Sequence, residues 1–199
     1  MTLTKEEIRR IVAERKKTFA DTQTLSQLVV SRLMKIPEMT TAKSIMTYID
    51  FDKEVCTMPV IVDLLQKGCR VVVPYCEQNE IRLFLLRNVS ELDAGQFGIL
   101  EPKIELRKFS ERGIQFDELQ ITIVPALAFD PNGGRVGRGR GYYDRFLQKL
   151  PEAVVTIGLG FDFQIFDKVP MYENDCFLKI VVSETKTYIV TDTSNKICL

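Results

Sequence analysis

Histidine is absent from all 199 residues of the chain, and its absence excludes several classes of mechanism. Without an imidazole there can be no Ser-His-Asp triad, no Cys-His pair and no histidine-ligated zinc centre. Any proton transfer must use a carboxylate, Lys, Tyr or Cys, or a group of the substrate itself. Chemistry that rests on electrostatic stabilisation and a metal ion, such as phosphoryl transfer, needs no histidine and stays open.

Cysteine is scarce, odd in number and never arranged as C-x-x-C. This pattern disfavours a disulfide framework or a zinc site and favours a reducing compartment, so we expect a cytoplasmic protein. Each thiol is expected to be a small buried side chain. The cysteines are Cys56, Cys69, Cys76, Cys176 and Cys198.

Long apolar runs and an excess of one charge are also missing. The N-terminus is charged, and no run approaches the ~20 apolar residues of a transmembrane helix. The 27 basic and 27 acidic residues cancel, so no global attraction to nucleic acid or an anionic membrane is implied. We therefore expect a soluble protein with no nucleic-acid or membrane partner.

Apolar spacing alternates between helix and strand periods along the chain. Helices are predicted from a Thr4–Glu7 capping box, over 24–34 with Leu25, Leu28, Val29 and Leu33 buried, after a Thr57 cap, and over 142–150. Strands are predicted over 45–49, 70–74, 81–86, 121–124, 154–160, 178–183 and 187–190, and residues 88–118 are expected to be loop-rich. This alternation predicts one α/β domain over residues 1–199, a three-layer α/β/α fold with a mainly parallel, doubly wound sheet.

The most informative segment, residues 121–147, combines three anion-binding features. A strand leads into a loop rich in glycine and arginine, which we call the glycine–arginine loop (residues 133–141), and a helix opens at Tyr142. Glycines let the backbone approach a ligand closely, arginines offer forked donors, and a helix start presents unpaired N–H groups. Together these features predict a bound phosphate. Asp144, an anion among these cations, suggests a hard cation as well.

Two familiar nucleotide motifs are absent. Glycines alternate at 137, 139 and 141, but Tyr142 stands where G-x-G-x-x-G requires glycine, and no G-x-x-x-x-G-K-[ST] occurs. A solvated basic loop and an RNA-contacting Arg-Gly segment are the alternatives to a phosphate site. Zero net charge and the lack of a second basic stripe disfavour RNA.

The segment resembles the signature of the 5-formyltetrahydrofolate cyclo-ligases, also called methenyltetrahydrofolate synthetases. Residues 124–130 and 134–147 match a pattern that is roughly Pro-Gly-Leu-Ala-Phe-Asp, a short gap, then Gly-x-Arg-Leu-Gly-x-Gly-x-Gly-Tyr-Tyr-Asp. The resemblance extends through nearly the whole chain. Further matches lie at 5–9, 48–57, 98–102, Gln164 and 173–175.

The resemblance implies an ATP-dependent ring closure. 5-Formyltetrahydrofolate and MgATP would become 5,10-methenyltetrahydrofolate, ADP and phosphate. The formyl oxygen would attack the γ-phosphate, N10 would add to the same carbon, and phosphate would leave. Charge develops or moves in each step and must be stabilised, so the expected residues are cations and metal ligands. We expect a monomer whose partners are these two substrates, with Mg²⁺ as cofactor.

The resemblance assigns the nucleotide side to the N-terminal helix and the glycine–arginine loop. The implied ATP-binding residues are Lys5, Arg9, Arg135, Gly137, Arg138, Gly139, Arg140, Gly141, Tyr142 and Tyr143. The implied catalytic residues are Arg135, Arg138, Arg140 and Asp144. Asp144 and Asp175 would position Mg²⁺, which favours a few carboxylates plus substrate phosphates. The alternatives are an exposed helix face for Lys5 and Arg9, and a helix-terminal charge for Asp144 worth ~0.3–1 kcal/mol. For Asp175 the alternative is a surface turn residue in Glu-Asn-Asp.

The folate side is implied by the segment at 48–57 together with the loop. The implied substrate-binding residues are Ile49, Glu54, Arg138, Gly139, Arg140, Gly141 and Tyr142. Glu54 would accept hydrogen bonds from pterin N–H groups. One of the two tyrosines is expected to pack on a ligand ring and the other inward, and Gly133 and Gly134 are expected to serve the turn.

Three residues depart from the family pattern. Arg140 stands where relatives carry lysine or glycine, Ala126 replaces a glycine, and Asn174 replaces a common histidine. Arg140 keeps the charge of lysine but not its compact ammonium. A relative that binds folate or nucleotide without closing the ring is the alternative within the family. The retained Glu54, Arg135, Asp144 and Asp175 argue against it.

Overall fold

A computed structural model of the chain describes residues 3–95 and 98–191. Within these ranges the helices are α1 (Lys5–Thr18), α2 (Thr22–Leu33), α3 (Pro37–Thr41), α4 (Met58–Gln66), α5 (Ile104–Arg107) and α6 (Tyr142–Leu147). The strands are β1 (Ser44–Thr47), β2 (Arg70–Glu77), β3 (Glu80–Leu86), β4 (Leu92–Ala94), β5 (Leu100–Pro102), β6 (Ile121–Pro125), β7 (Ala128–Phe129), β8 (Arg135–Val136), β9 (Val155–Leu159), β10 (Ile180–Val182) and β11 (Thr187–Ile189).

Seven of these strands form the main sheet, in the order β11-β10-β9-β6-β1-β2-β3. The inner strands from β10 to β2 run parallel, whereas β3 and β11 pair antiparallel at the two edges. The inner strands are mostly apolar and buried, because a parallel sheet is covered on both faces. This topology confirms the predicted α/β fold with a mainly parallel, doubly wound sheet.

Alternate residues of each strand feed two separate cores, because successive side chains point to opposite faces of a sheet. Ile45 faces the layer made by α2, α3 and α4, where it joins residues such as Leu33 and Ile61. Met46 faces the layer made by α6 and the irregular segment before β6, where it joins Phe146 and Leu119. The three layers of the prediction are therefore present.

Helix α1 packs on a small ribbon beside the sheet. It opens with the predicted capping box of Thr4 and Glu7, and its apolar face contacts the antiparallel pair β7–β8. Ile8 and Val12 are buried there against Val136. Because β8 lies within the glycine–arginine loop, this packing brings the start of α1 next to that loop.

The edge hairpin β2–β3 closes through a two-residue turn at Gln78 and Asn79, which have φ angles of 49° and 63°. Positive φ at both positions is the type I′ geometry that suits the twist of a hairpin. Its tip reaches α6, since the Tyr142 hydroxyl donates to Asn79 Oδ1 at 3.2 Å and Arg145 Nη2 donates to the Asn79 carbonyl at 3.0 Å. The hairpin thereby supports the end of the glycine–arginine loop.

Three local predictions were wrong. Leu28 was expected to be buried but lies on the outer face of α2 and is 48% exposed. The helix expected over 142–150 ends at Leu147. Thr57 stands at the start of α4 as expected, but its hydroxyl donates to the Tyr48 carbonyl at 2.7 Å instead of capping the helix. That bond ties α4 to the end of β1.

The cysteines only partly match the expectation of buried thiols. Cys176 is buried, Cys56 and Cys69 are half-buried, and Cys76 is exposed, so the expectation was wrong for Cys76. Cys56, Cys69 and Cys76 are free thiols, and Cys198 lies outside the described residues. In the part of the chain that the structure describes, no helix has the length and apolar character needed to span a membrane.

A tight turn after β7 fixes the entry to the glycine–arginine loop. The buried Asp130 carboxylate accepts N–H bonds from Asn132, Gly134 and Val169, each at 2.9 Å. Gly133 adopts φ +83°, and its carbonyl accepts the Leu178 N–H at 2.8 Å. As predicted, Gly133 serves the turn.

Replacing Gly133 by alanine should destabilise the fold more than the same change at Gly68. Both glycines have positive φ, at +83° and +74°, so each variant pays about 1–2 kcal/mol of backbone strain. A Cβ at Gly133 would also overlap the Leu178 carbonyl, whereas one at Gly68 meets nothing within 4 Å. We expect Gly133→Ala to lose a further ~1–3 kcal/mol in urea unfolding. Equal losses in the two variants would contradict this account of the turn.

Candidate active site

A cavity of 730 Å³ opens at the carboxyl ends of the central strands. The chain moves from β1 to β2 on one side and later returns to β6 on the other, so the strand order reverses between β1 and β6. Ligands in open α/β sheets bind at such a switch point. Residues that follow β1 and end β6, including Ile49 and Pro125, line the cavity as the rule requires.

Every residue that the sequence assigned to a site lines this one cavity. They are Lys5, Arg9, Ile49, Glu54, Arg135, Gly137, Arg138, Gly139, Arg140, Gly141, Tyr142, Tyr143, Asp144 and Asp175. They come from α1, the segment after β1, the glycine–arginine loop, α6 and the segment before β10. The fold therefore brings together residues separated by up to 170 positions in the chain.

Arg135 and Asp144 form a buried ion pair on the cavity wall. Arg135 lies in β8 rather than in a solvated loop, its side chain is 2% exposed, and its Nη2 donates to Asp144 Oδ1 at 2.5 Å. Its Nε is buried and has no hydrogen-bond partner among the described residues. A buried donor without a partner is costly, so this guanidinium is suited to an anionic ligand.

The start of α1 supplies two more cations. Lys5 Nζ pairs with Asp175 Oδ2 at 2.5 Å, and Asp175 Oδ2 also accepts the Tyr172 N–H at 2.6 Å. Arg9 Nε donates to the Gly137 carbonyl at 3.0 Å, which places its guanidinium on the glycine–arginine loop. One helical turn separates Lys5 from Arg9, so both face the same cavity.

Glu54 faces these cations from the opposite loop. Its Oε1 accepts from Arg138 Nη2 at 2.9 Å, and its Oε2 accepts the Phe51 N–H at 3.1 Å. The Arg138 guanidinium also lies over the Phe51 ring, 5.4 Å from its centroid. Burial raises the pKa of the Glu54 carboxyl, although the hydrogen bond and charge of Arg138 oppose the shift.

The loop itself bends through glycines with left-handed backbone. Gly139 and Gly141 have φ angles of 97° and 66°, conformations that glycine adopts without strain. Tyr142 and Tyr143 follow at the start of α6 and are both half-buried. Burial raises the pKa of the Tyr143 hydroxyl well above its ordinary value, with the charge of Glu54 adding to the shift.

Sequence reasoning missed the opposite wall of the cavity, which is largely apolar. The missed lining residues are Tyr48, Phe51, Pro74, Tyr75, Cys76, Ile81, Ile99, Leu100, Glu101, Pro125 and Ala126. The sequence could have predicted some of them, because residues at the ends of parallel strands belong to the expected binding edge, and Glu101 stands in the Gly-x-x-Glu-Pro match. The sequence could not have predicted the residues from the edge hairpin, since only the folded turn brings them over the cavity.

Glu101 and Gln164 have structural partners. Glu101 pairs with Arg107 Nη2 at 2.9 Å, and burial and the charge of Glu101 raise the pKa of the nearby Cys76 thiol. Gln164 is buried, and its amide donates to the carbonyls of Ala126 and Leu127 at 3.1 and 3.0 Å. Gln164 thus holds the end of β6 in place instead of lining the cavity.

A metal ion bound here would need oxygen ligands from a bound phosphate as well as from the protein. Among residues 3–95 and 98–191, no group of three or more acidic or cysteine side chains is arranged to enclose a metal. Asp144 and Asp175 each offer hard carboxylate oxygens to the cavity. Two carboxylates completed by phosphate oxygens and water suit Mg²⁺, so the residues present fit that ion.

Comparisons with known proteins agree with the geometry. The model of the 5-formyltetrahydrofolate cyclo-ligase family matches residues 1–184. The 5-formyltetrahydrofolate cyclo-ligase of Escherichia coli (strain K12) is 32% identical over 170 residues, which cover 83% of this chain and 91% of that protein. The 5-formyltetrahydrofolate cyclo-ligase of Haemophilus influenzae is 31% identical over 148 residues, which cover 72% of this chain and 77% of that protein.

A solved structure shares the fold. The NMR structure of 5,10-methenyltetrahydrofolate synthetase from Aquifex aeolicus superposes with a TM-score of 0.82 at 29% identity. The superposition covers 98% of this chain and 96% of that chain. The overall fold is therefore shared with a protein of that name.

The raised pKa of Glu54 predicts a specific dependence of stability on pH. The folded protein holds this proton more tightly than the unfolded chain, so stability falls as pH rises from the ordinary carboxyl value of 4.5 through the raised pKa. Urea unfolding should show the free energy of unfolding of the natural protein falling relative to that of Glu54→Gln over that window. Glu118→Gln is the control, because the Gln115 N–H lowers the Glu118 pKa. The free energy of unfolding of the natural protein relative to Glu118→Gln should therefore rise with pH. A pH-independent difference for Glu54→Gln would contradict the shift.

Proposed function

The chain belongs to the 5-formyltetrahydrofolate cyclo-ligase family, and we propose that it closes 5-formyltetrahydrofolate to 5,10-methenyltetrahydrofolate at the expense of ATP. One observation carries the proposal: the residues matched to the family signature meet in one cavity at the switch point of the sheet. The cavity has a cationic wall and an apolar wall. This division suits one substrate that is a polyanion and another that carries a flat ring.

The cationic wall would hold the triphosphate. Five cations and four carboxylates line the cavity, so its fixed charges nearly cancel. Such a cavity would take ATP best when much of the phosphate charge is already neutralised, as in MgATP. Arg135, with its unpartnered Nε, and Arg9, which donates from α1 to the Gly137 carbonyl, are the proposed phosphate contacts, and Lys5, Arg138 and Arg140 complete the set.

Asp144 and Asp175 are the residues we propose for Mg²⁺. When bound, the ion would neutralise charge that develops on the phosphates. Arg135 and Lys5 now pair with these two carboxylates. In the proposed complex they would turn to phosphate oxygens, which keeps each buried charge paired.

The apolar wall would hold the folate. Glu54 is proposed to accept hydrogen bonds from pterin N–H groups, and Ile49 and Tyr142 to contact the ring system. Phe51 and Tyr75 add flat surfaces on the same wall. The Phe51 N–H fixes the Glu54 carboxylate at 3.1 Å, so the acceptor is held in one orientation before a ligand arrives.

The proposed reaction joins the two substrates at the centre of the cavity. The formyl oxygen attacks the γ-phosphorus, the bond from that phosphorus to the β,γ-bridging oxygen breaks, and ADP leaves. N10 then adds to the activated formyl carbon and loses its proton, and the carbon–oxygen bond breaks to release phosphate. Arg135, Arg138 and Arg140 would stabilise the charge on the transferred group.

An RNA-binding loop has less support. Arg135 is buried and paired with Asp144, and Arg138 is paired with Glu54, so carboxylates of the same chain neutralise two of the three loop arginines and leave no free basic stripe there. The absence of nucleic-acid and membrane partners, the monomeric state, the cytoplasmic location and the single domain over residues 1–199 stay predictions.

A direct assay tests the proposed activity. Purified protein mixed with 5-formyltetrahydrofolate and MgATP should generate the absorbance of the methenyl product, with one ADP formed for each product. The signal should vanish when the divalent cation is removed by a chelator. A lack of product with both substrates present would contradict the proposal.

Asp144→Asn tests the residue assignment in the same assay. It should lower kcat by roughly 10² or more, the scale of removing one group that stabilises transition-state charge, while the protein stays folded. Asp63→Asn is the matched control, because Asp63 is a carboxylate paired with Lys67 on α4, outside the cavity lining. Turnover near the natural rate in Asp144→Asn would show that the metal assignment is wrong.

A further inference from the structure

One ion pair joins a residue of the folate wall to a residue of the glycine–arginine loop. Glu54 is assigned to the folate, and Arg138 is assigned to the phosphates as well as the folate, yet Arg138 Nη2 donates to Glu54 Oε1 at 2.9 Å. The same guanidinium covers the Phe51 ring. While this pair holds, an acceptor oxygen and an aromatic face of the folate wall are both occupied by a residue of the nucleotide wall.

We propose that this Glu54–Arg138 pair couples the two substrates: a bound triphosphate draws Arg138 away, which frees the Glu54 carboxylate and the Phe51 ring for the folate. The inference rests on the proposed function, and it adds an order to it. Arg138 positions the folate acceptor until the nucleotide arrives. The nucleotide then makes the folate site complete.

The two partners differ in their freedom to move. The Arg138 side chain is 47% exposed, whereas that of Glu54 is 12% exposed. Arg138 stands between Gly137 and Gly139, and Gly139 has φ +97°, so the backbone on either side carries no Cβ to restrict it. Glu54 keeps its second bond, from the Phe51 N–H, when Arg138 leaves. The arginine is therefore the partner that moves.

Freeing Glu54 creates a demand for new donors. A carboxylate that is largely buried is stable only when it is paired or hydrogen-bonded. Burial already raises its pKa even with Arg138 in place. Pterin N–H groups would supply the missing donors, so the nucleotide should raise the affinity for the folate. By thermodynamic linkage the folate should raise the affinity for the nucleotide by the same factor.

Calorimetric titration measures this coupling without turnover. We would titrate the natural protein with 5-formyltetrahydrofolate, in the absence and in the presence of a saturating Mg²⁺ complex of a β,γ-imido ATP analogue. The Kd for the folate should fall roughly fivefold or more with the analogue, within the usual range of coupling between sites. In Arg138→Gln the two Kd values should be equal, and Arg138→Lys should restore part of the difference. Arg138 is half-exposed, so these variants are expected to fold.

A second titration should show a gain in affinity for the nucleotide analogue. In Glu54→Gln, Arg138 no longer has to leave a carboxylate, so the analogue alone should bind roughly fivefold more tightly than to the natural protein. Glu101→Gln is the matched control, because this variant removes the same charge from the same cavity. Glu101 pairs with Arg107, which lies outside the glycine–arginine loop. The effect of this variant should stay within about twofold, the scale of a weak ion pair.

The outcomes separate this inference from the proposed function. Equal folate Kd values with and without the analogue would overturn the coupling, while product formation in the direct assay would leave the enzyme proposal standing. A gain in Glu101→Gln as large as that in Glu54→Gln would also overturn it, since general charge would then explain both. A natural protein that binds neither ligand and forms no product would overturn the enzyme proposal and the coupling with it.

Discussion

Pairing of charge inside one cavity is the constraint on which the rest of the site depends. Each of the four carboxylates that line the cavity has a cationic partner: Glu54 with Arg138, Glu101 with Arg107, Asp144 with Arg135 and Asp175 with Lys5. Buried charges are tolerated only in this form. Two of these pairs, Glu54 with Arg138 and Asp175 with Lys5, join segments far apart in the chain, so ion pairs that neutralise the cavity also tie its walls together. A charged ligand can enter by exchanging partners instead of leaving a charge unpaired.

The sheet explains why these segments meet. Parallel strands put all their carboxyl ends at one edge, and the reversal of order between β1 and β6 leaves a gap there. Packing of α1 on the β7–β8 ribbon then brings Lys5 and Arg9 to that gap from the start of the chain. The Asp130 turn and Gly133 set the path of the glycine–arginine loop, and the hairpin tip at Asn79 supports its far end. Stability and function thus share the same contacts.

Much of this could be predicted from local patterns, and the failures have physical causes. Alternating apolar periods predicted the α/β sheet, and the residue types at 133–144 predicted an anion site. The burial of Arg135 could not be predicted, because a loop arginine and a paired core arginine are identical until the fold supplies Asp144. The predicted burial of Leu28 was wrong because helical spacing alone does not say which side of an apolar stripe meets the core. The apolar wall depends on a hairpin whose position over the cavity only tertiary structure defines.

Oxygen transfer tests the central claim most directly, because the cavity is proposed to bring a formyl oxygen against the γ-phosphate. Folate labelled with oxygen-18 in its formyl group would be converted with unlabelled MgATP, and the released phosphate examined by phosphorus NMR. The account predicts one oxygen-18 atom in each phosphate formed, since the formyl oxygen leaves with the phosphoryl group. Unlabelled phosphate, formed in step with the methenyl product, would mean that water or another group attacks ATP, and would contradict the account.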